Sequence, residues 1–140
     1  MVVEINPYLI TNGNGKEAIK FYEDALDANV LGVQTFGENP AQSDSFSADV
    51  KDRVLHAQLK IGKSDLMISD TFPDQPFQVG NQLSIAIMIN GSEKTRTIFE
   101  KLANGGKVEM SLQETFWSPL YGQVQDRFGV LWQVSTIEEK

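Results

Sequence analysis

The sequence predicts an α+β fold built from two tandem βαβββ modules that form a curved mixed sheet. Three observations carry that expectation. A helix-spaced segment flanked by strands occurs twice, once in each half. Residues 54–61 alternate strictly, as a half-buried strand does. Short stretches of the two halves also superpose: Ala57-Gln58-Leu59-Lys60, a turn and Leu66-Met67 match Gly122-Gln123-Val124-Gln125, a turn and Leu131-Trp132 at one constant offset of 65 residues. Either half alone is too short for a stable core, so the two are expected to fold as one domain over 1–140, with the first module at about 1–75 and the second at about 80–140.

Each element has a local reason. Residues 2–11 are rich in Val and Ile and read as a first strand. Asn12-Gly13-Asn14-Gly15 turns the chain into a helix, with Asn14 as the expected cap. Ala18, Ile19, Tyr22, Ala25 and Leu26 then fall at helical spacing. Val30 to Phe36 reads as a strand, and 37–44, with Pro40, Ser43 and Asp44, as a polar loop. In 54–61, Leu55, Ala57, Leu59 and Ile61 take one face and Val54, His56, Gln58 and Lys60 the other. Gly62-Lys63-Ser64-Asp65 turns this strand into another over 66–70, and 71–80, with two prolines, is a linker.

The pattern then begins again. Residues 82–90 form a strand with Leu83, Ile85, Ile87 and Ile89 on one face. Ser92 is the expected cap of a second helix striped by Ile98, Phe99 and Leu102, and Gly105-Gly106 is its stop. A strand over 107–112 follows. The chain closes with strands 121–125 and 130–134 around the turn Asp126-Arg127-Phe128-Gly129.

Composition excludes several functions. With no cysteine, thiolate nucleophiles, disulfides and zinc-thiolate sites are ruled out. The formal net charge of −7, without clustered Lys or Arg, speaks against nucleic acid as a partner. No apolar run approaches the roughly 18 residues of a membrane span. No signal peptide is visible, so the default location is cytoplasmic. The Gly15-Lys16 pair is not followed by Ser or Thr, so it is not a nucleotide phosphate loop.

Several segments together carry a family resemblance. These are Pro7-Tyr8-Leu9, Ala18-Ile19-Lys20-Phe21-Tyr22, Phe36-Gly37-Glu38, His56-Ala57, and Ser64 to Asp70. They continue with Gly106-Lys107-Val108-Glu109-Met110, Gln113-Glu114-Thr115-Phe116-Trp117 and Asp126 to Trp132. With them the chain resembles the PhnB-like branch of the vicinal oxygen chelate superfamily, which includes glyoxalases, bleomycin-resistance proteins and extradiol dioxygenases. The resemblance implies paired βαβββ modules, a small-molecule ligand, a homodimer and, typically, a divalent metal held by His and Glu at four inward strand positions. Here those positions fall around Asn6 to Tyr8, near Ile68 or Ser69, near Ser84, and at Gln133. The usual ligands are missing there, so no metal or other cofactor is expected.

The site expected instead is polar and aromatic. His56 is the only histidine, and an imidazole exchanges protons near neutral pH. It and Glu114 are the candidate catalytic residues. Gln58, Phe116, Trp117, Tyr121 and Gln133 are the candidate ligand-binding residues. Two functions follow: a small-molecule-binding protein of unassigned reaction, or a lyase or isomerase in which His56 and Glu114 move a proton on a small oxyanion substrate, with or without a metal ion.

Overall fold

The computed structural model describes residues 1–38 and 46–137 and resolves two compact units, Met1–Gln78 and Val79–Lys140. Unit one contains β1 (Tyr8–Thr11), α1 (Gly15–Leu26), β2 (Asn29–Thr35), a short 3₁₀ turn (Phe36–Glu38), α2 (Ala48–Lys51), β3 (Val54–Ile61) and β4 (Ser64–Asp70). Unit two contains β5 (Ile85–Asn90), α3 (Ser92–Ala103), β6 (Lys107–Gln113), β7 (Tyr121–Gln125) and β8 (Leu131–Ile137). Each unit forms a four-stranded mixed sheet of the same topology, β1-β4-β3-β2 in the first and β5-β8-β7-β6 in the second. The expected α+β pattern of two βαβββ modules is therefore observed. The single turn of α2 was not expected, and the loop expected over 37–44 lies outside the described residues from 39 onward.

In each unit the helix packs on one face of its own sheet. In unit one, Ala18, Tyr22, Ala25 and Leu26 of α1 meet Ala57, Leu59, Leu66 and Ile68, all buried. In unit two, Thr95, Ile98, Phe99 and Leu102 of α3 meet Val124, Trp132 and Val134. Each large apolar side chain buried in this way contributes about 2 kcal/mol. Among the described residues the opposite face of each sheet carries no helix of its unit, and strand alternation puts His56, Gln58, Tyr121, Gln123 and Gln133 there.

Five expectations are corrected. The first strand starts at Tyr8, not at residue 2: Pro7 has no N–H and offers only its carbonyl, which accepts from Met67 N at 3.1 Å. Asn14 makes no side-chain cap bond. The buried Asp70 carboxylate takes that role from β4, accepting from Gly13 N at 2.8 Å and Gly15 N at 2.9 Å. Gly91, not Ser92, stands at the N-cap of α3, with φ 106°, a conformation open to glycine alone at little cost. Val54 is fully buried and does not share the face of His56. The reason is a register shift in which Gln34 pairs with His56 while Thr35 pairs with Val54, leaving Leu55 as an extra residue in β3.

The fifth concerns the repeat. The offset of 65 holds from β3 to β7 but becomes 66 from β4 to β8. The buried residues Leu66, Ile68 and Asp70 correspond to Trp132, Val134 and Thr136. The turn after β7 is one residue longer: Ile61 pairs with Ser64 across the first turn, whereas Asp126 N donates to Val130 O across the second. Gly129 N closes the longer turn on Asp126 O at 3.0 Å.

Candidate functional site

Between β6 and β7 the chain makes a pinned loop. Thr115 N donates to Ser118 O at 2.9 Å, and Ser118 N donates to Thr115 Oγ1 at 3.2 Å. The buried Ser118 hydroxyl lies 2.9 Å from Leu120 O and 2.8 Å from Thr136 O, tying the loop to β8. Held by these bonds, Phe116 is 98% exposed and Trp117 58% exposed. The rings form an edge-to-face series, Phe116 to Trp117 at 4.7 Å and Trp117 to Tyr121 at 5.2 Å between centroids.

Tyr121 joins this series to a chain of neutral polar groups on the helix-free face. Its hydroxyl donates to Gln133 Oε1 at 2.7 Å and accepts from Gln123 Nε2 at 3.0 Å. Gln133 Nε2 then donates to Ser84 Oγ at 2.8 Å. Cross-strand pairing of Gln123 with Gln133 sets the spacing. The structure thus joins Phe116, Trp117, Tyr121 and Gln133, four of the expected ligand-binding residues, into one connected cluster. Glu114 is exposed just beyond β6.

The two tryptophans separate. Trp117 faces out, whereas Trp132 is buried on the α3 side and donates through Nε1 to Asp126 Oδ2 at 2.8 Å. Asp126 also accepts from Phe128 N at 2.9 Å and Val130 N at 3.1 Å, fixing the turn.

His56 and Gln58 stand on β3 in unit one, both partly exposed on the helix-free face. His56 Nδ1 lies 2.8 Å from the hydroxyl of Tyr8, with ring centroids 5.7 Å apart. Tyr8 reaches His56 because β1 pairs in parallel with β4, and β4 is antiparallel to β3. Lys60 and Asp65, also on this face, pair with each other at 3.2 Å. Tyr8 and Gln123 join these clusters without having been among the candidate catalytic or ligand-binding residues. Gln123 was reachable through the repeat, as the counterpart of Gln58, whereas the segment Pro7-Tyr8-Leu9 gives no sign that Tyr8 meets His56.

The four strand positions that would hold a metal do not fit one. Tyr8 is bonded to His56, Ile68 is fully buried, the Ser69 hydroxyl donates to Asp70 O at 3.2 Å, and Ser84 and Gln133 are bonded to each other. That donor set is neutral, and a divalent ion needs carboxylate or imidazole ligands. Among the described residues no group of three or more His, Cys, Asp or Glu is placed to bind an ion.

Comparison with known proteins agrees with this architecture. Residues 4–134 match the model of the Glyoxalase/Bleomycin resistance protein/Dioxygenase superfamily. The chain is 31% identical over 143 residues to protein YjdN of Escherichia coli (strain K12), covering 97% of each. It is similar to the crystal structure of protein PA1353 from Pseudomonas aeruginosa, with TM-score 0.87, 36% identity and coverage of 99% and 100%. A PhnB protein from Bacillus cereus, described as a 3-demethylubiquinone-9 3-methyltransferase, shares the fold at TM-score 0.80 and 24% identity, with coverage of 96% and 100%.

Proposed function

We propose that this chain, which belongs to the Glyoxalase/Bleomycin resistance protein/Dioxygenase superfamily, binds a small molecule on the helix-free face of its second module. The observation that carries the reading is the continuous run from Trp117 through Tyr121 to Gln133 and Ser84. Rings exposed from a pinned loop stack on a flat or apolar ligand at low entropic cost. The amides of Gln123 and Gln133 and the Ser84 hydroxyl then orient its polar atoms. This run carries no formal charge, which favours a neutral planar compound over a metal chelate. The partners that accompany this reading are the ligand and a second copy of the chain, in the cytoplasm, with no metal or other cofactor.

A screen of planar neutral compounds by thermal shift tests it, followed by titration of each hit against Trp117→Ala and Gln133→Ala. Both variants are expected to weaken binding at least tenfold. Hits that bind both variants as tightly as the parent protein would remove the assignment. Sedimentation of the purified chain tests the dimer in parallel.

The alternative reading is a lyase or isomerase in which His56 and Glu114 move a proton on a small oxyanion substrate. The Tyr8–His56 bond favours it, because a histidine held by a phenol is oriented for proton transfer. Turnover that survives in both His56→Ala and Glu114→Gln would end this reading.

A further inference from the structure

The repeat sets His56 and Tyr121 at equivalent positions, each on the helix-free face of its own sheet. Their surroundings differ in one respect. The Tyr121 hydroxyl is used in both directions, donating to Gln133 and accepting from Gln123. His56 has one nitrogen engaged, Nδ1 with the Tyr8 hydroxyl, and among the described residues Nε2 has no partner. The Tyr121 hydroxyl is thus engaged as donor and acceptor, whereas His56 keeps one ring nitrogen unengaged.

The direction of the Tyr8–His56 bond follows from donor and acceptor strength. A phenol offers an O–H proton to a neighbouring lone pair. Its O–H is a good donor and its oxygen a poor acceptor, while an unprotonated imidazole nitrogen is a good acceptor. The favoured arrangement therefore has Tyr8 donating to Nδ1, which leaves the neutral ring's proton on Nε2. The tilted ring contact at 5.7 Å restrains the imidazole plane as well. Among the described residues of unit one, the charged groups on this face, Lys60 and Asp65, form an ion pair with each other, and Gln34, Gln58 and Met67 are neutral.

We infer that Tyr8 is a positioning residue for His56, fixing the Nε2–H tautomer and presenting that N–H as the donor to an anionic oxygen of a small ligand, of carboxylate or phosphate class. Only the final contact rests on the reading of the helix-free faces as ligand surfaces; the tautomer stands on the Tyr8 bond alone.

The single histidine makes the test direct, because the ¹⁵N-labelled chain gives one set of imidazole signals. At pH 8, long-range ¹⁵N–¹H spectra are expected to show Nδ1 as the bare nitrogen and Nε2 as the protonated one. Tyr8→Phe, mild because Tyr8 is half-exposed, is expected to redistribute the proton between the two nitrogens. Titrating inorganic phosphate should move the Nε2 signals of the parent chain, with a loss of most of that response in Tyr8→Phe. A parent spectrum with the proton on Nδ1, or a Tyr8→Phe spectrum identical to the parent's, would overturn the positioning role. A parent chain whose imidazole signals ignore phosphate would overturn the donor role. Neither result depends on Trp117 or Gln133, so this inference and the proposed ligand site fail separately.

Discussion

Tyr121 gives its phenolic proton to Gln133 at 2.7 Å, and that bond connects the exposed rings of the 115–118 loop to the amide of Gln133 on β8. Tyr121→Phe keeps the ring stack but leaves Gln133 Oε1 without this donor. A partly buried hydrogen bond of this kind contributes about 1 kcal/mol, so the urea midpoint should fall modestly. Ligand affinity should fall by about five- to tenfold at the same time. An unchanged affinity with a lowered midpoint would mean that the bond serves folding alone.

Asp70 ties β1, the start of α1 and β3 together in the first unit. Its carboxylate accepts from Thr11 Oγ1 at 2.6 Å, from Gly13 N and Gly15 N, and from Val54 N at 2.8 Å. Asp70→Ala strands these buried donors and should cost about 3 kcal/mol or more. Asp70→Asn should cost less, since one oxygen remains to accept. Equal midpoints for the two variants in urea unfolding would contradict this account.

Close packing explains Gly122. A Cβ there would lie 2.8 Å from Phe99 Cε2 and 2.9 Å from Met110 O. Gly122→Ala should destabilise by about 1–3 kcal/mol. Adding Phe99→Leu should recover only part of that loss, because the Met110 carbonyl cannot move aside as a side chain can. Full recovery in the double variant would show that the helix contact is the whole cost.

The two tryptophans should be separable by acrylamide quenching. Trp117 is exposed and Trp132 buried, so the intrinsic fluorescence should contain one accessible and one protected component. Trp117→Phe should remove the accessible component and change stability by less than about 0.5 kcal/mol. Persistence of strong quenching in that variant would place Trp132, not Trp117, in contact with solvent.

Metal content offers a further check. After equilibration with Zn²⁺ or Mn²⁺ and desalting, the protein should retain far less than one ion per chain by elemental analysis. Stoichiometric retention that disappears in Gln133→Ala would reinstate the metal positions judged not to fit here.

The fold was legible because periodicity and duplication are local signals. Tyr22 and Phe99 mark the same helix face in both copies, and the 54–61 alternation locates a strand without any knowledge of its partners. Much of the second-module cluster was legible too, since Phe116, Trp117 and Tyr121 lie close together in the chain and the β7–β8 hairpin supplies Gln133. What was missed depends on long-range pairing. Tyr8 meets His56 only through parallel β1–β4 pairing, which brings residues 48 apart into hydrogen-bond distance. Asp70 caps a helix that begins 55 positions earlier, which no local capping rule anticipates. A bulge at Leu55 turned Val54 inward without leaving a mark in the alternation.

The longer turn between β7 and β8 constrains how the second copy can be edited. Side chains on a strand point alternately, so shortening that turn by one residue while keeping β7 in place would slide β8 half a repeat. Trp132 and Val134 would then be expelled into water, and Gln133 would be forced beneath α3. A deletion of Phe128 should therefore give an aggregating or unfolded chain, whereas the matching insertion after Gly62 would threaten Leu66 and Ile68 in the same way. The two halves descend from one pattern but are not interchangeable parts: each hairpin tip is matched to its own following strand.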